Sequence, residues 1–211
     1  TSFQTCSLLA LGADGAVVSL RADGKLDRLH TQDKAELNSC AFVAPGLAVV
    51  SGGQRAYWVD LETRKVADLQ LETLDWSFTF PAESDRAIIL STDGTAAKIA
   101  AGRLLGTVKL EGLDGARIVD ASLGSSASLL LATTTGLAST KPTGVIEWID
   151  RGARPKAVAC DNTFQCARLD QDGHGAYSTD RSTWKRTASL LDAYDIVSVP
   201  WTTFLWWVQK T

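Results

Sequence analysis

Few residues in this sequence have the chemistry to catalyse a reaction or hold a metal. There are two histidines, His30 and His174, so neither a three-His zinc site nor a metalloprotease helix can be built. No Gly-x-Ser-x-Gly elbow, phosphate-binding loop, dinucleotide fingerprint or Cys-x-x-Cys pair occurs. Asp170-Gln171-Asp172-Gly173-His174-Gly175 sets two carboxylates on a tight turn, the kind of loop a hard cation uses, but without the later acidic ligand of an EF-hand. We expect no metal and no cofactor. Both histidines read as turn or strand-end residues.

The remaining candidates are binding groups. Basic residues gather at Arg151, Arg154 and Lys156, and again at Arg181, Lys185 and Arg186. Seven tryptophans are present, and Trp201, Phe204, Trp206 and Trp207 crowd the C-terminal end. Neighbours on a strand face opposite sides, so Trp206 and Trp207 are both buried only where both sheet faces are covered. Otherwise one of them offers an aromatic surface to a partner or a sugar. Trp201, Trp206, Trp207, Arg151 and Arg154 are therefore the expected binding residues. Trp58, Trp148 and Trp184 are expected to pack between repeats, and Trp76 in the core.

These side chains must be positioned by strands. Five Asp-Gly pairs, from Asp14-Gly15 to Asp172-Gly173, mark tight turns. Between the turns lie short apolar runs such as Ala16-Val17-Val18-Ser19-Leu20 and Ala87-Ile88-Ile89-Leu90-Ser91, as expected of strands buried between sheets. Only residues 32–37 and 188–193 read as short helices. The composition is 45% hydrophobic and 21% charged, ordinary for a folded domain. The net charge of −3 gives no positive field for a nucleic-acid backbone. The apolar runs are too short to span a bilayer.

A repeat organises the strands. Val18, Val50, Leu90, Leu131 and Tyr177 head equivalent strands at intervals of 32, 40, 41 and 46 residues, a spacing typical of propeller blades. Tyr57-Trp58-Val59-Asp60-Leu61-Glu62-Thr63-Arg64-Lys65-Val66 resembles the outer hairpin of WD40-like and quinoprotein-like blades. Ser178-Thr179-Asp180-Arg181-Ser182-Thr183-Trp184 resembles an Asp-box hairpin, one residue short and with Ser182 where Gly is usual. The chain thus resembles the β-propeller superfamily without matching a specific family. The resemblance implies an all-β fold: one small propeller over residues 1–211, of about five to six four-stranded blades. A strand from the N-terminal segment could complete the last, partial copy; a β-sandwich is the competing arrangement.

Four cysteines are too few for a disulfide framework. They read as buried thiols, with a Cys160–Cys166 cross-strand pair as the alternative. The sequence contains no Met, which points to a processed or trimmed chain, and the compartment stays open. The leading functional expectation is a non-catalytic protein-interaction scaffold within a larger assembly. A carbohydrate- or small-ligand-binding propeller is second, and a hydrolase with a central site third. Protein partners are expected, a glycan is the alternative ligand, and nucleic acid is disfavoured.

Overall fold

The computed structural model describes residues 8–12, 14–20, 24–82, 85–124, 128–141, 143–161, 165–189, 193–198 and 205–209. Among these, all regular structure is antiparallel sheet apart from one isolated parallel bridge, Glu111 to Val145. The chain divides into two compact units, Thr1–Val108 and Lys109–Thr211.

The first unit holds a three-stranded sheet of β1 (Leu8–Leu11), β2 (Ala16–Leu20) and β3 (Leu26–His30). Two four-stranded meanders follow: β4 (Ser39–Ala44), β5 (Leu47–Gly52), β6 (Arg55–Asp60) and β7 (Lys65–Asp68), then β8 (Trp76–Pro81), β9 (Arg86–Ser91), β10 (Thr95–Ala100) and β11 (Arg103–Lys109). The second unit has two further meanders: β12 (Ile118–Leu123), β13 (Leu129–Thr133), β14 (Gly136–Thr140) and β15 (Ile146–Asp150), then β16 (Pro155–Cys160), β17 (Cys166–Asp170), β18 (His174–Ser178) and β19 (Lys185–Ser189). Strands β20 (Ala193–Ser198) and β21 (Leu205–Gln209) pair beside them.

Each meander forms because strand-length apolar runs alternate with turns that reverse the chain. Gly94 and Gly173, at φ 86° and 80°, sit in the β9–β10 and β17–β18 turns, where a side chain would be strained. Their aspartates secure the turns: the Asp93 carboxylate accepts the Thr95 amide at 2.9 Å and that of Asp172 accepts the His174 amide at 3.1 Å. Asp114-Gly115 is different, lying in the β11–β12 connection rather than in a hairpin.

Within each unit neighbouring sheets pack against one another, so their middle strands are largely buried. Every residue of β13 is buried, and Val49, Ile89 and Trp76 are fully enclosed in one cluster of the first unit. Burial of this kind contributes about 25 cal/mol per Å² of apolar surface. The first strands of neighbouring sheets are also joined through polar side chains. The Ser39 hydroxyl accepts the Thr79 amide at 2.8 Å, linking β4 to β8. Asp120 and Ser122 accept the Val158 and Cys160 amides at 2.7 and 2.9 Å, linking β12 to β16.

Several sequence expectations need correction. Four sheets are four-stranded among the described residues, not five to six; β1–β3 has three strands and β20–β21 two. The last repeat interval was one strand too long, because Tyr177 lies on the third strand of its sheet and the equivalent second strand is β17. Residues 32–37 are not helical: Lys34 has φ 53°, and the Leu37 amide donates to the Gly12 carbonyl at 3.4 Å instead of to a helical turn. Of the other expected helix, Ala188 and Ser189 belong to β19 and Ala193 to β20; residues 190–192 lie outside the described set. Of the N-terminal segment expected to complete the final copy, residues 1–9, Leu8 and Leu9 lie on β1 and pair with β2, while residues 1–7 lie outside the described set.

Cys160 and Cys166 stand opposite each other across β16 and β17 and form a disulfide. The buried-thiol reading is therefore wrong for this pair. Cys40 is a free, half-buried thiol whose burial pushes its pKa up.

Candidate functional site

A cavity of about 610 Å³ opens in the second unit, lined by Asp150, Gly152, Ala153, Arg154, Arg168, Asp170, Gln171, Asp172 and Arg186. Three stretches of chain converge to make it. The turn from β15 into β16 supplies Asp150 to Arg154, β17 and its following turn supply Arg168 to Asp172, and β19 supplies Arg186.

Arg168 and Asp170 sit two apart on β17 and so share a face. Arg168 is 11% exposed and Asp170 10%. The Arg168 Nη1 donates to Asp150 at 3.1 Å, its Nε lies 3.3 Å from the Asp170 carboxylate, and its guanidinium stands 5.4 Å over the Trp184 ring. The Asp150 carboxylate also accepts the Gly152 and Ala153 amides at 2.9 and 3.1 Å. Burial pushes the Asp150 pKa up, but Arg168 and these amides outweigh it and hold the group below the usual carboxylate range. At Asp170 burial wins and the pKa rises, in spite of Arg168. Asp172 is held low, first by the His174 amide.

The rim is more open. Arg186 approaches Asp172 at only 3.6 Å with both side chains more than half exposed, a geometry that contributes little. Arg154 lines the cavity and is exposed. Its guanidinium makes no hydrogen bond or ion pair among the described residues. The cavity thus carries three arginines and three aspartates, with its least committed charge positive and at the mouth.

The expected binding residues divide. Arg154 is at this cavity, joined by Arg186 from the second basic cluster. Arg151 is not: it stacks 4.4 Å over Trp148 and pairs with Asp114 at 3.0 Å. Trp206 and Trp207 lie on β21 opposite Val197 and Ile196, and Trp201 lies outside the described residues. Trp58, Trp148 and Trp184 are half-buried, and Trp76 is fully buried in the core as expected. Arg168 was missed as a site residue, and Asp170 was read only as part of a cation-type turn. Their signal was an Arg-x-Asp pair inside an otherwise apolar strand, where two charges are kept only if they find partners.

The turn read as Asp-box-like is closed by its own aspartate and tryptophan. The Asp180 carboxylate accepts the Ser182 and Thr183 amides at 2.9 and 2.7 Å and the Ser178 hydroxyl at 3.0 Å. The Trp184 indole donates to the Arg181 carbonyl at 3.1 Å. These bonds close a hairpin rather than build a site. One carboxylate elsewhere is strongly perturbed: burial pushes Asp120 up to about 7, and Asp195 adds to the effect. No group of three His, Cys, Asp or Glu among the described residues is arranged to hold a metal. None of the described residues forms a helix long and apolar enough to cross a membrane.

This fold is a β-propeller, built from four-stranded blades. The chain is similar to virginiamycin B lyase from Staphylococcus aureus, at 11% identity and a TM-score of 0.73 over 99% of this chain and 79% of that one. It is similar to YCF48 solved bound to D1 peptide, at 10% identity and 0.69 over 87% and 63%. It is also similar to the Pan2 WD40 domain of Neurospora crassa, at 12% identity and 0.58 over 86% and 64%. No protein-family model matches the sequence, and no curated protein matches it.

Proposed function

We propose that this propeller is a non-catalytic protein-interaction scaffold whose second unit receives an acidic group of a partner polypeptide at the Arg154–Arg186 rim. The observation that carries the reading is the Arg154 guanidinium, which makes no hydrogen bond or ion pair among the described residues and lines an ion-rich cavity. Arg168 is committed to Asp150 and Asp170, so Arg154 and the weakly held Arg186 are the donors left for a carboxylate. Arginine suits that role because its planar fork binds a carboxylate bidentately. YCF48 in its peptide complex supports polypeptide binding on this fold. The lyase shows that the fold can also carry chemistry. The lining contains no aromatic face for a sugar ring, which favours a polypeptide over a glycan.

The test is capture of the native partner by the intact chain, identified by mass spectrometry, with a glycan array run on the same sample. The captured partner is then offered to the Arg154→Glu, Arg186→Glu double variant. Loss of a stoichiometric partner on charge reversal, with folding intact, supports the reading. A glycan ligand without a protein partner, or a partner indifferent to both substitutions, overturns it.

A further inference from the structure

The rim of the second-unit cavity asks its occupant for more than an acid. Asp172 stands beside Arg186 on the turn from β17 into β18, with its side chain 56% exposed. Its Oδ1 is engaged by β18: it accepts the His174 amide at 3.1 Å and lies 3.2 Å from the imidazole Nδ1. Its Oδ2 faces one cation among the described residues, Arg186 at 3.6 Å, which is too long for a hydrogen bond. Asp150 differs, because both its oxygens are engaged, one by Arg168 and the other by the Gly152 and Ala153 amides. The open polar capacity at the rim is therefore of both signs, with Arg154 and Arg186 as donors and the Asp172 Oδ2 as acceptor.

An acid that arrives alone fits this arrangement poorly. A carboxylate that draws Arg186 towards itself takes from Asp172 the cation facing its Oδ2, and sets a second negative charge beside it. A basic residue next to the acid replaces the lost cation, so the Arg186–Asp172 pair is exchanged rather than broken. Residues two apart on an extended segment share a face, so one short stretch of chain can present both charges. The net charge of −3 adds a general bias against a purely acidic run.

We infer that the segment received at the Arg154–Arg186 rim is of mixed charge: an acidic residue that takes the two arginines, with a lysine or arginine beside it that pairs with Asp172. Complementarity of both signs would fix the register of the bound chain. The inference rests on the acid-docking reading of the same cavity and names the class of segment that the cavity selects.

The test uses the full chain and three blocked peptides in a Gly-Ser background, titrated while the amide chemical shifts of the protein are followed. The first peptide carries a glutamate and a lysine two residues apart. Glutamine replaces the lysine in the second, and a further glutamate replaces it in the third. The lysine peptide should bind tightest and the double-glutamate peptide weakest. The lysine should improve affinity about two- to fivefold over glutamine, as an exposed ion pair allows.

Asp172→Asn keeps an acceptor for the His174 amide and removes the charge. In that variant the lysine peptide should lose its advantage, and the glutamine peptide should bind more tightly because Arg186 is released. Equal affinity of the lysine and glutamine peptides for the parent, or an advantage that survives Asp172→Asn, overturns the mixed-charge inference. The acid-docking reading still stands in that case if Arg154→Glu with Arg186→Glu weakens both peptides. If no peptide binds, or if that double substitution weakens none of them, the acid-docking reading falls and the inference falls with it.

Discussion

The Asp120 carboxylate accepts the Val158 amide at 2.7 Å, so a largely buried acid is one of the links between the first strands of two neighbouring sheets. Asp120 sits at a break in the β12–β13 register and also accepts the Ala121 amide at 2.8 Å. The two amides favour the carboxylate, but burial outweighs them and Asp195 adds repulsion, raising the pKa to about 7.

A carboxyl group whose pKa is higher folded than unfolded stabilises the fold while it keeps its proton. That contribution is present at acidic pH and is lost as the pH rises from the ordinary carboxylate value towards 7. The slope is about 1.4 kcal/mol per pH unit. Asp120→Asn keeps an acceptor for Val158 but cannot ionise. Urea denaturation from pH 5 to 8 should show the parent losing stability relative to the variant by a few kcal/mol. Parallel profiles for the two proteins would show that Asp120 does not titrate in this range.

The Cys160–Cys166 disulfide closes a short loop between adjacent strands of one sheet. Loop entropy then assigns it about 2 kcal/mol. A reductant should lower the urea midpoint of the parent and leave that of the Cys160→Ala, Cys166→Ala variant unchanged. An equal shift in both, or in neither, would remove the bond from the stability of the fold.

The strand content was legible because Asp-Gly turns and apolar runs are local features, and local features survive into the fold. The helix expected at 32–37 failed for a non-local reason. Asp33 is drawn to the Tyr57 hydroxyl and to Arg55 at 3.2 Å, and these contacts hold the segment as a linker. The cavity was half legible. Arg154 and Arg186 stood out as basic clusters, but nothing in their spacing brings them together. Only the packing of β17 between its neighbours joins them, through Arg168 and Asp170. The same pairing turned the suspected cation loop into an arginine-held turn.

Trp76 is the largest fully buried side chain among the described residues, at 0% exposure, and its indole donates to the Glu72 carbonyl at 2.8 Å. Trp76→Ala should cost about 3–5 kcal/mol through lost packing and a cavity. Trp76→Phe keeps most of the volume but leaves the carbonyl without its donor, and should cost less. Thermal unfolding of both variants checks the order, and equal losses would put the hydrogen bond above the packing.

Arg168 and Arg154 line the same cavity but should behave oppositely on substitution. Arg168→Met leaves Asp170 buried without its cation, an arrangement that costs about 3–5 kcal/mol. The loss should deepen as the pH rises, because Asp170 is then forced to ionise unpaired. Adding Asp170→Leu removes the stranded charge and should restore much of the stability. Arg154→Ala touches no ion pair and should stay within about 0.5 kcal/mol of the parent, while partner capture falls. Urea denaturation together with partner capture separates the two roles. A stability loss at Arg154 comparable to that at Arg168 would make the rim part of the framework and withdraw it as a docking group.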